Sequence, residues 1–201
     1  MPQKYKVQDK FFKAAKREGY RARSAYKLLE IGEMFPLFRK VQSVLDLGCS
    51  PGSWLQVLRE KTSGTVIGLD LKETEELEDV STFICDVFSE DFEKVLRKTQ
   101  GNKKIQFDLI TSDMAPKTMG IFDVDQYASV ELNLQALDLV KKYLKPGGWA
   151  VFKIFRGEDF NDFWFEAKKA FPKMKTFKPQ ACRDRSFELY CIGKKSVLTS
   201  K

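Results

Sequence analysis

Residues 41–54 read VQSVLDLGCSPGSW, and the fold turns on them. The apolar run Val44-Leu45-Asp46-Leu47 has the character of a buried strand. It breaks into Gly48-Cys49-Ser50-Pro51-Gly52-Ser53 and then into a helical pattern over 54–61. Glycine at a strand-to-helix turn lets the backbone pass close to a ligand, because no Cβ stands between them. A second strand over 65–71 carries Asp70 near its end. An acid roughly 20 residues beyond such a turn is the layout of a nucleoside-binding crossover, where it accepts from ribose hydroxyls. Gly48 and Gly52 do not have GxGxxG spacing, so a pyrophosphate is not the expected ligand. An ordinary α/β loop shares the strand-glycine-helix turn, and the rest of the chain has to decide.

With 201 residues, the chain is long enough for one domain with a full core. No apolar stretch approaches the roughly 20 residues of a membrane span, and MPQKYKVQDKFF lacks the apolar segment of a secretory signal. The expected location is the cytoplasm; a mitochondrion or another organelle is the alternative, since a longer natural chain could carry a transit peptide. Cys49, Cys85, Cys182 and Cys191 show no CxxC spacing, so they read as small buried hydrophobes of a reducing compartment. Histidine is absent, so no metal site is expected and any general base must be Lys, Asp, Glu, Tyr or water.

Net charge is +7 and unevenly placed. Residues 1–27 carry nine Lys/Arg against Asp9 and Glu18, a second basic cluster spans 168–185, and 73–79 is acidic. Basic ends around an acidic middle suit a polyanion, most plainly a nucleic acid, although solvated helix faces have the same look. A helix is expected over 9–17 with Asp9 as N-cap, turning Phe11, Phe12 and Ala15 inward and Lys10, Lys13 and Lys16 outward. Next, Tyr20-Arg21-Ala22-Arg23-Ser24-Ala25-Tyr26-Lys27 interleaves rings that can stack on bases with cations that neutralise phosphates. Over 24–34 the spacing of Tyr26, Leu29, Ile31 and Met34 predicts a second helix.

Further strands are expected over 80–85, 105–111, 149–155, 173–178 and 186–193, and helices over 89–99, 125–144 and 158–171. Asp86 and Asp113 follow strands directly, which places them at the carboxyl edge where α/β sheets bind ligands. Lys153 lies inside the strand WAVFKIF, although central parallel strands are nearly continuous apolar runs. Its ammonium must be paired, desolvated or close to a cleft; snorkelling outward or a buried ion pair are the structural alternatives. Glu188 is a second charge inside a strand, on the face of Tyr190 and opposite Phe187, Leu189 and Cys191.

DLGCSPGSW resembles motif I of the class I methyltransferases, which bind S-adenosylmethionine (SAM). With EGYRARSAYKLLEI before it and SDMAP, LKPGG, FKIFRG and RSFELY after it, the chain resembles the FtsJ-type RNA ribose 2′-O-methyltransferases, whose order these motifs keep, and the resemblance covers nearly the whole chain. It implies a Rossmann-like α/β fold: a mostly parallel seven-stranded sheet with an antiparallel last strand and helices on both faces. A single domain over 1–201 is expected, with a basic helical extension over 1–36 and the core over 41–195. The resemblance places a catalytic Lys-Asp-Lys-Glu tetrad on Lys27, Asp113, Lys153 and Glu188. SAM binding falls on Gly48, Gly52, Trp54, Asp70, Asp86 and Asp113, with Ser53 standing where the family often has a second glycine. Asp70 would take the ribose hydroxyls, Asp86 the adenine amino group, and Trp54 a wall of the pocket.

Methyl transfer needs a hydroxyl held at the sulfonium carbon and relieved of its proton. Burial and the neighbouring cation Lys27 are expected to favour the neutral amine of Lys153, making it the base, while Asp113 and Glu188 orient amine and ribose. Phosphates are expected at Lys10, Lys13, Lys16, Arg21, Arg23 and Arg156. The substrate is expected to be large-subunit ribosomal RNA (rRNA), free or in its particle, at a uridine, with the enzyme a monomer off the membrane. Alternatives are a transfer RNA (tRNA) ribose, a messenger RNA cap, or a silent RNA-binding module of the same fold.

Overall fold

A computed structural model describes residues 10–100, 104–183 and 186–197. Asp9, the expected N-cap, lies outside the described residues, as does Arg185. The elements are α1 (Lys10–Glu18), α2 (Ala25–Met34), β1 (Ser43–Leu47), α3 (Ser53–Lys61), β2 (Thr65–Asp70), β3 (Val80–Ile84), α4 (Phe92–Gln100), β4 (Phe107–Ser112), α5 (Phe122–Tyr143), β5 (Leu144–Phe155), α6 (Phe160–Ala170), β6 (Lys175–Phe177) and β7 (Glu188–Lys194). Their order is the one expected from the sequence.

The strands lie in the order β3-β2-β1-β4-β5-β7-β6. Six run in one direction, and β7 inserts antiparallel between β5 and β6. The chain winds outward in both directions from β1, which opens a crevice beyond the carboxyl ends of β1 and β4. Alternating strand residues divide the core into two layers. Leu45, Leu47, Ile110, Phe152 and Ile154 face α4, α5 and α6, joined by Phe92, Val130 and Phe163. Val44, Val66, Leu109 and Val151 face the other way, meeting Leu28 and Ile31 of α2 and Leu55 and Leu58 of α3. Helices therefore cover both faces, which is why these strands are apolar on both sides.

Several local expectations are corrected. Only Ala15 of α1 is buried; Phe11 packs on Tyr26 with ring centroids 5.5 Å apart, and Phe12 is exposed. Phe11 and Ala15 share a helical stripe four residues apart, and the next position round the helix turns away. In α2 the buried positions are Ala25, Leu28 and Ile31, so the inward face is rotated from the expected one and Met34 is exposed. Helix α5 begins at Phe122, ahead of the expected 125, because Asp125 caps the incoming loop instead. Its carboxylate accepts from the amides of Met119 at 2.6 Å and Gly120 at 3.0 Å.

Asp46, in the middle of β1, is wholly buried between Gly68 of β2 and Thr111 of β4. Its Oδ1 accepts from the Thr111 hydroxyl at 2.6 Å, and its Oδ2 has no partner. Burial, reinforced by the charges of Asp113 and Asp70 and opposed by the Thr111 hydrogen bond, pushes its carboxyl up to about 8. The folded protein thus holds a proton that the unfolded chain gives up near pH 4. This contribution to stability is complete below about pH 4 and is lost as pH rises toward about 8. In ligand-free protein, Asp46→Asn should flatten that decline, so that thermal unfolding at pH 5 and at pH 8 differs by several degrees less than in the parent.

Candidate active site

Sheet register assembles the site. In the parallel pairing of β4 with β5, Ser112 lies beside Phe152, which brings Asp113 and Lys153 together just past the end of β4. In the antiparallel pairing of β5 with β7, Lys153 lies opposite Tyr190 and Phe155 opposite Glu188. Lys153 Nζ donates to the Asp113 carbonyl and stands 3.2 Å from Asp113 Oδ1. Lys27, reaching down from α2, donates to Glu188 Oε1. The buried Tyr190 hydroxyl lies between the pairs, 2.9 Å from Asp113 Oδ1 and 2.8 Å from Glu188 Oε1.

The four expected catalytic residues therefore form two ion pairs joined through one phenol. Burial pushes the Tyr190 hydroxyl well above the ordinary tyrosine range, and the Asp113 and Glu188 charges push it further, so it remains a donor. For Glu188, burial favours the neutral acid, but the charge and hydrogen bond of Lys27 outweigh it and hold the carboxyl below its usual range. Asp113 Oδ2 and Glu188 Oε2 have no hydrogen-bond partner among the described residues, so each carboxylate keeps one acceptor oxygen for a ligand.

The glycine turn lies alongside. Gly48 has φ +74°, and a Cβ there would come within 2.7 Å of Met114 Cγ. Gly52, at φ +102°, caps α3. Asp70 Oδ2 accepts from the Ser50 amide at 2.9 Å and Oδ1 from the Lys72 amide at 2.9 Å, so this strand-end acid also holds the turn. Asp86 is exposed beyond β3, with Oδ1 accepting from the Phe88 amide at 3.0 Å. The amide of Cys85 donates to the Asp70 carbonyl at 2.8 Å, which keeps the two acids on neighbouring strand ends.

Three expected ligand contacts are corrected. Trp54 is 2% exposed; its indole N–H donates to the Ser24 carbonyl at 2.8 Å, and its ring lies 5.7 Å from that of Tyr190. It wedges α2 against β7 behind the tetrad, where its large apolar body is out of water, and does not form an open pocket wall. The Arg21 guanidinium donates to the carbonyls of Pro51 at 3.2 Å, Glu75 at 2.7 Å and Glu76 at 2.8 Å, clamping the glycine turn to the acidic segment. Arg23 donates to the Ala181 carbonyl and stands over the Phe11 ring. Both arginines are committed to the protein itself, whereas Lys10, Lys13, Lys16 and Arg156 are exposed.

The sequence reading missed Tyr190 as the bridge, Asp46 beneath the site, and two residues of α5. Asn133 Nδ2 donates to the Lys153 carbonyl at 2.8 Å, and Ser129 Oγ accepts from the Phe155 amide at 3.0 Å, fixing the strand on either side of Ile154. Polar residues at Gln126, Ser129 and Asn133, three and four apart on the buried helix face, were the available signal.

The sequence profile of FtsJ-like methyltransferases matches residues 20–196. This chain belongs to that family. Among relatives of the FtsJ-like enzyme, ribosomal RNA large subunit methyltransferase E of Methanothrix thermoacetophila is 43% identical over 93% of this chain and 72% of that protein. The protein of the same name from Wolbachia pipientis wMel is 40% identical over 93% of this chain and 95% of its own length. A crystal structure of a Plasmodium falciparum protein assigned as a ribosomal RNA methyltransferase superposes with a TM-score of 0.79 at 28% identity, covering 88% of this chain and 98% of that one.

Arg21→Ala in this FtsJ-like methyltransferase takes from three carbonyls the guanidinium that donates to them, on a side chain only 15% exposed. It should lower stability by about 1–3 kcal/mol and weaken cofactor binding through the loosened turn. The salt dependence of RNA binding should stay unchanged. Denaturant titration and RNA binding across a salt series check this.

Proposed function

We propose that this FtsJ-like methyltransferase methylates the ribose 2′-hydroxyl of large-subunit rRNA, at a uridine, using SAM. The observation that carries the reading is the pairing of Lys153 with Asp113 and of Lys27 with Glu188 around Tyr190, at the strand ends next to the glycine turn. The names of the relatives support rRNA as the substrate.

The residues present fit SAM. Asp46, Asp70 and Asp113 lie at or under the carboxyl ends of three adjacent strands, and the buried Asp46 Oδ2 has no partner. The carboxyl groups of Asp70 and Asp113 suit a ligand that carries a sulfonium and an ammonium group, with the protonated Asp46 carboxyl beneath them. Gly48 and Gly52 keep Cβ atoms out of the turn beside it. Asp70 is placed for ribose hydroxyls and Asp86 for the adenine amino group, each carboxylate accepting a backbone amide that fixes its direction. When bound, SAM supplies the electrophilic methyl group.

The chain's own residues position the acceptor. The spare oxygens of Asp113 and Glu188 receive hydrogen bonds from the target ribose. Lys27 holds Glu188, and Tyr190 holds both carboxylates at a set separation, so the ribose meets preformed acceptors. The resting Lys153 ammonium, its direction fixed by the Asp113 carbonyl and Oδ1, first releases a proton to solvent, and the neutral amine then takes the 2′-hydroxyl proton as the oxygen attacks. That proton stays on the amine, and the O–CH3 bond would form as the methyl–sulfur bond breaks, leaving a neutral thioether.

Lys153→Ala should lower kcat by about 100- to 10,000-fold, the span of a general base, while calorimetry shows an unchanged SAM affinity. Near-normal turnover in that variant would reject the assignment. Asp70→Ala should instead weaken SAM binding and leave the RNA affinity of the SAM-free protein intact. Nucleotide-resolution maps of ribose methylation on rRNA and tRNA, with and without the protein, test the substrate.

A further inference from the structure

Two aromatic rings are held in the open beside the tetrad. Phe187, the residue before Glu188, is 58% exposed, and Phe122, the first residue of α5, is 40% exposed. Their centroids are 4.2 Å apart with planes at 51°. They come from distant parts of the chain and meet only in the fold. With Phe155, Ser186, Gly120 and Asp125 they line a cleft of about 270 Å³.

This cleft is built on the catalytic scaffold. Phe155 ends the strand that carries Lys153 and lies opposite Glu188 in the sheet. The backbone amide of Arg156 donates to the Phe187 carbonyl at 2.9 Å, so an exposed basic residue is joined through its backbone to the residue that carries one of the rings. The Asp125 carboxylate, by taking the Met119 and Gly120 amides, pins the loop that leads into Phe122. Exposed phenylalanine costs hydration free energy in proportion to its apolar area, and among the described residues no segment covers either ring.

Resting on the ribose methyltransferase reading, we infer that the Phe122–Phe187 pair is the platform on which a nucleobase of the substrate RNA stacks, at or next to the methylated nucleotide, with Arg156 meeting the adjoining phosphate. Ribose methylation does not act on the base, so base contacts must come from groups beside the reacting oxygen rather than from the tetrad. Every base presents a π face, and flat apolar rings next to a cation receive one from single-stranded or splayed RNA. Glu188 is the next residue along the chain and pairs with Phe155 of the cleft, so the platform and the ribose site share one strand end. Net charge of +7 and the exposed lysines of α1 favour RNA over an apolar protein partner.

The test uses the whole protein and large ribosomal subunits isolated from cells lacking it. Phe122→Ala with Phe187→Ala should lower kcat/KM for the subunits by about 5- to 100-fold, the worth of stacking one base, with SAM affinity, melting temperature and the salt slope of RNA binding unchanged. Phe187→Tyr should restore function and Phe187→Leu should not, because an aliphatic side chain fills space without offering a π face. Equal function of the Leu and Tyr variants would overturn the platform and identify the patch as an apolar protein contact. Loss of SAM affinity in parallel with RNA turnover would also overturn it, as a structural role. Methylation by the parent protein in the same assay reports on the ribose methyltransferase reading separately.

Discussion

A buried ammonium constrains everything else in the site. Lys153 lies in a strand covered by helices on both faces, where an unpaired charge would cost several kcal/mol. Asp113 supplies both a carbonyl and a carboxylate oxygen to it, and can do so only because β4 and β5 pair in the register observed. The antiparallel β7 is the second requirement, since it brings Tyr190 opposite Lys153 and Glu188 opposite Phe155. A parallel strand in that place would need a crossover, and among the described residues no helix lies between β6 and β7 to make one. The inverted strand thus lets two ion pairs share one tyrosine.

Charge is layered around this arrangement. The strand ends beneath are acidic, and Asp46 is buried deeply enough to hold a proton well above the usual carboxylate range. The tetrad balances two cations with two anions. The exposed cations of α1 and Arg156 lie outside it. A cationic cofactor and a polyanionic substrate are thereby favoured in different places, so the two do not compete for the same groups. Arg21 and Arg23 fit this arrangement as internal fasteners: each is directed to backbone carbonyls.

The family resemblance and the physical reading of the residues agree on the tetrad but differ in what they explain. Sequence likeness places Lys27, Asp113, Lys153 and Glu188 by motif. The coordinates show how each is held: Asn133 and Ser129 of α5 fasten β5 on either side of Ile154, and Trp54 fills the space between α2 and β7. Asn133 and Ser129 lie outside the motifs, whereas Trp54 is the last residue of DLGCSPGSW.

Much was legible from local pattern alone. Apolar runs interrupted by Gly48 and Gly52, strand-end acids at Asp70, Asp86 and Asp113, and a lysine in the strand WAVFKIF are features of short stretches, and strand and helix periodicity reads them directly. Element order followed from the same periodicities. What the sequence could not decide was which polar groups already had partners. Arg21 and Lys13 look alike in a basic segment, yet one is clamped on the carbonyls of Pro51, Glu75 and Glu76 while the other is exposed. Tyr190 looked like a strand aromatic until β7 placed its hydroxyl between two carboxylates, and Phe122 and Phe187 have no relation until the sheet brings them together. Periodicity is set by neighbours along the chain, whereas hydrogen-bond partnership is set by register and crossing between distant elements. The sequence therefore determined the strands, the turn and the charged residues placed against type, and the tertiary structure alone decided which charges pair, which are spent as fasteners, and which stay exposed.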